Sequence, residues 1–344
     1  MTKIRDDIDV IFGDVIKDSN TISIIGNGRG SGKTTAFKAF LKYLSQKYTV
    51  GISSFGNDRA RSQSFEPGFA KSGLVFVNKG TLIATSRNSL GFSDITKEIL
   101  ITTGINTPLG EIVILRALSS GYALLTGAST IDESIRIKNL LVEFGAQKII
   151  FDGSVNRKSP ATHRLSDSFA LTFALRPDML EMIRREMDIF NTQLCDDFYR
   201  NIDGGNYIIK SDNRPIYLND LDLEISQILN ENRSPIKAIG ISGALQSNFV
   251  KRLLHLSENY QKQLSKARII IDDATRIFIK DIERMQLEDL GIRINVRNKI
   301  SVNSIFINPA ESGFSSDEID ALMVEIAYGI PVFDILRGVY FEGI

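Results

Sequence analysis

Glycines, a lysine and two threonines stand together between residues 26 and 35, in the order Gly-Asn-Gly-Arg-Gly-Ser-Gly-Lys-Thr-Thr. Glycine lets backbone N–H groups converge on one point, because no Cβ obstructs the turn. Converging N–H groups form a concavity that binds anions, and Lys33 would reach the β- and γ-phosphates of a nucleotide while Thr34 places its hydroxyl on Mg²⁺. The spacing therefore predicts a phosphate-binding loop made of Gly28, Arg29, Gly30, Ser31, Gly32, Lys33, Thr34 and Thr35.

The residues around these glycines predict the elements that must hold them. Residues 21–25 are mostly β-branched, as in a buried strand, and residues 36–43 show a helical pattern. A strand, a glycine-rich loop and a helix give the required context, since the helix then points the positive end of its dipole at the anion. Asn27 takes the place of the first glycine in G-x-x-x-x-G-K-[ST], but asparagine tolerates a positive φ and the turn is still expected. The alternative is a glycine-rich turn with no ligand.

Two aspartates at predicted strand ends are candidate Mg²⁺ ligands. Asp152 follows a buried apolar run, and Asp58 follows the second predicted strand. The carboxyl ends of parallel strands meet at one edge of a sheet, and aspartates there hold Mg²⁺ in nucleotide-hydrolysing proteins. We therefore predict Lys33 and Asp152 as catalytic residues, with Thr34, Asp58 and Asp152 as metal ligands. A turn aspartate at position 58 and an ordinary strand end at position 152 are the alternatives.

The composition of the chain limits its function classes. Among 344 residues, 43% are hydrophobic and 24% charged, which is ordinary for a globular protein. Forty-one basic residues balance 41 acidic ones, so the basic excess typical of a nucleic-acid binder is missing. The charged N-terminus lacks the apolar core of a signal peptide, and no run has the roughly 18 apolar residues of a membrane span. A single cysteine, Cys195, excludes an internal disulfide, and we predict a cytoplasmic protein.

Strands and helices alternate along the chain, which predicts a mainly parallel sheet. We expect an α/β protein of two domains: a P-loop NTPase domain with an N-terminal helix over residues 1–200, and a second, smaller α/β domain over residues 201–344. The boundary is placed in the polar, glycine- and proline-containing stretch 196–214. In the second domain, a Ser-Gly-Ala turn at 242–244 and Asp272 with Asp273 follow predicted strands, and both structural and catalytic roles stay open.

Three local predictions concern the middle of the first domain. Residues 74–85 predict a hairpin that turns at Asn78-Lys-Gly80. A helix is expected near residues 93–102. Residues 111–117 and 122–126 are predicted to form a pair of strands.

The loop and the second strand together resemble a known branch of P-loop proteins. The loop, followed by Gly-Ile-Ser-Ser-Phe-Gly-Asn-Asp at 51–58, resembles the branch that contains dethiobiotin synthetase, cobyrinate amidases and the molybdopterin-guanine-dinucleotide accessory protein. In that branch the loop is roughly G-x-x-K-N-x-G-K-T-T, and the second strand ends in S-x-G-x-D-G-E. Here Arg29 stands where lysine is usual, and Arg59-Ala60 replaces Gly-Glu, so the glutamate of that pattern is absent.

A wider set of segments is similar to the lysine 5,6-aminomutase reactivase subunit KamB family. The resemblance covers about residues 20–334 and rests on residues 107–110, 126–129, 144–159, 241–245, 306–309 and 330–334. It implies a bacterial amino-acid fermentation protein that helps to restore an adenosylcobalamin-dependent aminomutase after cofactor damage. The aminomutase and a second reactivase subunit, an ATPase, are the partners that this resemblance implies.

The residues and the resemblance together predict a Mg²⁺-dependent ATP-binding accessory protein, an ATPase whose loops respond to loss of the γ-phosphate. No guanine-specific N-K-x-D follows a predicted strand, which favours ATP over GTP. The alternatives are an ATP-dependent small-molecule kinase or ligase of the dethiobiotin synthetase type, and a nucleotide-binding module that never hydrolyses. Neither a nucleic acid nor a membrane is expected as a partner.

Overall fold

The computed structural model describes residues 13, 15–28, 30–56, 74–155, 162–202, 204–231 and 234–343. The chain divides into two compact units. The first unit consists of Met1–Arg184 and Ser301–Ile344, and the second of Arg185–Ile300. Both units mix strands and helices, and the prediction of a mixed α/β fold with a large, mostly parallel sheet is confirmed. None of the described helices has the length and apolar character needed to cross a membrane.

The described elements are numbered in chain order. The strands are β1 (Thr21–Gly26), β2 (Val50–Ser54), β3 (Leu74–Val77), β4 (Leu82–Ser86), β5 (Lys97–Thr107), β6 (Gly110–Ala117), β7 (Gly121–Leu124), β8 (Lys148–Val155), β9 (Ser168–Ala174), β10 (Asn206–Ile209), β11 (Pro215–Leu218), β12 (Ala238–Ile241), β13 (Leu245–Gln246), β14 (Arg268–Ile271), β15 (Ile277–Phe278), β16 (Arg293–Val296), β17 (Val302–Asn308), β18 (Val332–Asp334) and β19 (Val339–Phe341). The α-helices are α1 (Lys33–Leu44), α2 (Ile131–Glu143), α3 (Leu180–Phe190), α4 (Asp197–Arg200), α5 (Leu221–Glu231), α6 (Ser247–Leu264), α7 (Asp281–Asp289) and α8 (Ser316–Ile326).

The first unit is organised around a sheet whose described strands follow the order β19-β18-β17-β9-β1-β8-β2-β4-β6-β5. Every pairing from β18 to β4 is parallel. Antiparallel pairing adds β19 at one side and β6 with β5 at the other. All six residues of β1 are buried, as expected for a parallel strand covered on both faces. The apolar run before the glycines is therefore a central strand.

Helix α1 is held against this sheet by its apolar face. Phe37 and Phe40 are fully buried in one core cluster with Ile22 and Ile24 of β1. The spacing of these phenylalanines within one turn places them on a single side of the helix. Burying a phenylalanine side chain contributes about 1.5–3 kcal/mol, so these contacts fix the start of α1 beside the carboxyl end of β1.

The second unit has its own sheet, with the order β11-β10-β12-β14-β16. β12, β14 and β16 pair in parallel, whereas β10 is antiparallel to both of its neighbours. Tyr207 of β10 lies over Gly240, where a Cβ would come within 2.1 Å of the tyrosine ring. Beyond β16, Cys195 donates its N–H to the carbonyl of Val296, which covers that strand's outer edge. The second unit thus has an α/β core of its own.

The predicted division at residue 200 differs from the observed one. Residues 301–344 were assigned to the second domain, but β17 pairs with β9 and β18 pairs with β17 in the sheet of the first unit. The stretch 196–214 lies inside the second unit, where it contains both α4 and β10. The boundary between the two units depends on which distant strands pair with each other. The polar, glycine- and proline-containing composition of a loop carries no information about that pairing.

The three local predictions in the first unit are also corrected. Gly80 makes the expected turn, with a φ of 93°, but β3 pairs with β7 and β4 lies in the large sheet between β2 and β6. Residues 97–107 are the strand β5, and no helix forms there because the β-branched run pairs with β6. β6 and β7 are strands, as predicted, yet they belong to different sheets.

Candidate functional site

The loop after β1 folds back closely on the end of that strand. A Cβ at Gly26 would lie 2.3 Å from Ser31 Oγ, 2.6 Å from Thr172 Oγ1 and 2.7 Å from Lys33 Cγ. Contacts below about 3 Å do not occur for real Cβ atoms, so only glycine fits at this position. Gly26 therefore allows the loop, β9 and the start of α1 to meet at one point.

Two further glycines set the shape of the loop. Gly30 and Gly32 have φ angles of 75° and 91°, in the left-handed region that favours glycine. Among the described residues, no atom outside the chain neighbours lies within 4 Å of the position that a Cβ would take at Gly28 or Gly30. Successive left-handed and right-handed residues turn N–H groups toward one side, as in backbone nests that bind anions. The loop thus combines this backbone shape with open space at two glycines.

Helix α1 begins without a carboxylate of its own. Its N-cap residue is Gly32, which supplies no capping side chain, and its first turn contains no acidic residue. The first N–H groups of a helix have no partner within the helix, and the helix dipole makes this end favourable for negative charge. The chain therefore presents a helix N-terminus at the same place as the glycine loop, which is suited to an anion.

Lys33 connects the loop to the neighbouring strand β8. Its Nζ donates to the carbonyl of Gly153 at 3.2 Å, and the side chain is partly buried. A Cβ at Gly153 would lie 2.3 Å from the carbonyl oxygen of Ile24, so β1 and β8 approach closely beside this contact. The ammonium group of Lys33 is thereby held at the carboxyl edge of the sheet. The residue that it contacts, Gly153, directly follows Asp152 in the chain.

Asp152 lies on β8 with 2% of its surface exposed. It pairs in register with Ile24 of β1 on one side and Ser54 of β2 on the other. β8 continues to Val155, so the strand does not end at Asp152 as predicted. A carboxylate buried this deeply needs compensating positive charge or hydrogen bonds. Its position on the strand next to β1 is the one that the Mg²⁺ hypothesis requires.

Strand β9 holds the other side of the loop. Asn27 donates its N–H to the carbonyl of Thr172 at 3.2 Å, and its Oδ1 accepts from the N–H of Ala174 at 3.1 Å. The hydroxyls of Ser31 and Thr172 are 2.9 Å apart. The φ of Asn27 is not positive, so the residue that replaces the first glycine acts through its side chain instead. After β1 the chain continues to β2 on one side of the sheet, and after β9 it continues to β17 on the other side. In open α/β sheets, ligands bind at the carboxyl ends of two adjacent strands whose connections run in opposite directions in this way.

Two residues near the end of the chain also contact the loop, and the sequence analysis did not identify them. The Nδ2 atom of Asn308, the last residue of β17, donates to the carbonyl of Gly30 at 2.6 Å. Ile335 lies beside Gly32, where a Cβ would come within 2.5 Å of its Cδ1. A polar residue at the end of an apolar strand was the available signal for Asn308, but it only indicates a site once β17 is known to lie beside β9.

The structure brings most of the predicted loop residues together. Gly28, Gly30, Ser31 and Gly32 form the turn after β1, and Lys33, Thr34 and Thr35 open α1. Arg29 lies outside the described residues, and so does Asp58, although β2 ends next to Asp152. Their predicted roles in phosphate and metal binding stay predictions.

The carboxyl edge of the second unit, which was left open by the sequence, uses its polar groups internally. Asp272 accepts from Arg276 at 3.2 Å and from Asn298 Nδ2 at 3.0 Å. The buried carboxylate of Asp273 accepts from the N–H of Thr275 at 2.9 Å. Asn206 Oδ1 accepts from the N–H of Ser242 at 3.0 Å and closes the turn after β12.

Comparison of the chain with protein families, with curated proteins and with solved structures finds no match in any of the three. The candidate site is therefore the one that the geometry itself indicates. It combines backbone donors in a left-handed glycine loop, a helix N-terminus, the ammonium group of Lys33 and the buried carboxylate of Asp152. This donor set suits a polyphosphate with a divalent cation.

Proposed function

We propose that this chain is a Mg²⁺-dependent ATP-binding protein of the P-loop NTPase type, with ATPase activity. The observation that supports the proposal is the convergence of the left-handed loop at Gly30 and Gly32, the start of α1 and the Lys33 ammonium on the strand that carries Asp152. The G-S-G-K-T-T sequence alone suggests phosphate binding. The convergence adds a buried carboxylate on the adjacent strand, which a simple anion-binding turn does not need.

Each residue of the site has a distinct role in this proposal. The loop N–H groups and the first N–H groups of α1 bind phosphate oxygens, and Lys33 offsets the negative charge of the β- and γ-phosphates. The hydroxyl of Thr34 and the carboxylate of Asp152 provide the oxygen ligands that Mg²⁺ prefers, with Asp58 as a further candidate from the sequence. Held by these oxygens, Mg²⁺ would offset negative charge on the phosphate groups during γ-phosphate transfer.

The cellular role that we propose is that of an accessory protein, a reactivase subunit for an adenosylcobalamin-dependent aminomutase. This part of the proposal rests on the sequence resemblance alone. Its physical logic is that release of a damaged cofactor from a closed site needs a conformational change, and nucleotide-dependent loop switching can drive such a change. The aminomutase and a second reactivase subunit are the proposed partners, in the cytoplasm.

A kinase or ligase of the dethiobiotin synthetase type is the competing function. The same loop and carboxylate serve both functions, since both need bound Mg·ATP. The stimulating molecule distinguishes them: a protein partner that accelerates ATP turnover supports the accessory role, whereas a small carboxylate or hydroxyl compound that does so supports a kinase or ligase.

The first experiment is a titration of the full chain with fluorescent ATP and GTP analogues, with and without Mg²⁺. Wild type is compared with Lys33→Ala, and Lys38→Ala serves as a matched control because Lys38 is an exposed lysine on the same helix. A lost hydrogen bond between a charged lysine and phosphate weakens binding by roughly 10- to 150-fold. We expect that loss in Lys33→Ala and wild-type affinity in Lys38→Ala, with ATP preferred over GTP.

Two results would contradict the proposal. The absence of Mg²⁺-dependent nucleotide binding in the wild type would mean that the glycine loop is a structural turn. Equal affinity in wild type and Lys33→Ala would mean that the nucleotide binds elsewhere on the chain.

A further inference from the structure

The side chain of Asn308 reaches the phosphate loop from the last segment of the chain. Its Nδ2 donates to the carbonyl of Gly30 at 2.6 Å. We propose that Asn308 is a positioning residue that holds the Gly30 peptide in the orientation needed for anion binding. The proposal deepens the proposed function, since it names a residue that shapes the same site without touching the nucleotide.

The geometry of the peptide bond explains how one side chain sets the loop. In a trans peptide the C=O and the following N–H point in opposite directions. The carbonyl of Gly30 and the N–H of Ser31 share one peptide, so a carbonyl held toward β17 turns that N–H away from β17 and into the loop. Gly30 has a φ of 75°, and glycine populates several such conformations with little difference in free energy. An external hydrogen bond is therefore the feature that selects one of them.

Asn308 is itself held in place. Its Oδ1 accepts from the N–H of Ala310 at 3.2 Å, and its carbonyl accepts from the N–H of Leu175 at 2.8 Å. The first contact fixes the amide group, and the second fixes the backbone at the end of β17. Because both the backbone and the side-chain amide of Asn308 are fixed, the Gly30 carbonyl that it contacts is held at a fixed position relative to β17.

The loop is thus held by two strands on the same side of β1, β9 and β17. β9 holds it through Thr172, which accepts from the N–H of Asn27 and pairs with the hydroxyl of Ser31. β17 holds it through Asn308. The second unit is inserted in the chain between β9 and β17, so the residues that return after this insertion complete the loop's hydrogen bonds.

The test uses Asn308→Asp, which keeps an acceptor for Ala310 but removes the donor to Gly30. Asn303→Asp is the matched control, because Asn303 lies on the same strand and donates its Nδ2 to Ser168 Oγ at 2.8 Å, away from the loop. The first readout is ¹⁵N relaxation of the Ser31 and Gly32 amides in the ligand-free full chain. We expect order parameters to fall from about 0.85 to below about 0.6 in Asn308→Asp and to stay unchanged in Asn303→Asp.

The second readout is affinity for Mg·ATP. Affinity is measured with Asn308→Ala and Asn303→Ala, because an aspartate at position 308 would add a negative charge beside the proposed anion site. Loss of one hydrogen bond that shapes the loop is expected to weaken binding about tenfold in Asn308→Ala, and Asn303→Ala should bind as the wild type does. Urea unfolding of each variant checks that the fold is retained. If Asn308→Asp does not fold, Asn308→Ala takes its place in the relaxation measurement as well.

The outcomes separate this inference from the proposed function. Equal loop order parameters in all three proteins overturn the positioning role, whether or not a nucleotide binds. A looser loop with unchanged affinity also overturns it, because the hydrogen bond would then have no consequence for binding. A looser loop in a protein whose wild type binds no nucleotide supports positioning by Asn308 and contradicts only the ATP-binding proposal.

Discussion

The carboxyl edge around β1 and β8 and the carboxyl edge around β12 and β14 are assembled from similar parts. Each has a strand, a turn that contains glycine, a helix and an aspartate at the neighbouring parallel strand. They differ at the start of the helix. The first turns of α1 and α6 both lack an acidic residue, but the hydroxyl of Ser247, the first residue of α6, donates to the buried carboxylate of Glu283 of α7 at 2.6 Å.

The two edges also differ in the backbone of the glycine turn and in the partners of the aspartate. Gly32 has a φ of 91°, while Gly243 has no positive φ and lies in a turn closed by Asn206 and Arg276. Asp272 is paired with Arg276, which also donates to the carbonyl of Ser242. At the second edge the chain thus supplies its own counter-charges. A helix N-terminus stays suited to an external anion only where no carboxylate of the chain already lies beside it.

The largest expected contrast between the two edges is in stability. In Gly153→Ala, the new Cβ would lie 2.3 Å from the Ile24 carbonyl, and backbone atoms of a central strand cannot move aside cheaply. We expect the free energy of unfolding to fall by about 3 kcal/mol, a typical cost of overpacking. In Gly243→Ala the added atom meets open space, and the change should stay within about 0.5 kcal/mol. Urea unfolding measures both, and equal effects would contradict the close approach of β1 and β8.

The next contrast is in Mg²⁺-dependent nucleotide binding. Asp152→Asn removes a carboxylate oxygen from the edge that carries Lys33, and Asp272→Asn does the same at the other edge. We expect the affinity for Mg·ATP to fall by at least about tenfold in Asp152→Asn, because a lost metal ligand costs at least as much as a lost supporting contact. Asp272→Asn should leave it unchanged. A loss of similar size in both variants would place the nucleotide site elsewhere.

The smallest contrast is a pH dependence that belongs to the second edge. Burial by itself raises the pKa of Glu283, but hydrogen bonds from the Lys280 N–H and the Ser247 hydroxyl outweigh it and hold the pKa below its ordinary value. A lowered pKa in the folded state adds stability above the unfolded pKa of about 4.3, and this stability is lost as pH falls through the folded value.

The difference in free energy of unfolding between wild type and Glu283→Gln should therefore be constant from pH 7 to about 5 and shrink below about pH 4. Urea unfolding across this pH range measures it. A gap that stays constant down to pH 3 would show that the carboxylate charge contributes nothing at the start of α6.

Local patterns predicted the parts of the fold whose cause is local. The strand before the glycines and α1 both follow from apolar spacing within one segment. β5 was missed because its exposed positions weaken the period-2 signal of a strand, so residues 93–102 could be mistaken for a helix. The turn at Gly80 was predicted, but the partners of β3 and β4 depend on distant strands.

The amino-acid sequence by itself indicated the loop residues that we propose for phosphate binding, because the glycines, lysine and threonines that this proposal requires lie within ten residues. It also indicated Asp152, which follows an apolar run typical of a strand. Tertiary structure alone decided that β8 and β9 flank β1, that residues 301–344 return to the first sheet, and that Asn308 reaches Gly30. These contacts join residues up to 278 positions apart. Which strands become neighbours depends on the packing of the whole sheet, and no local pattern records it.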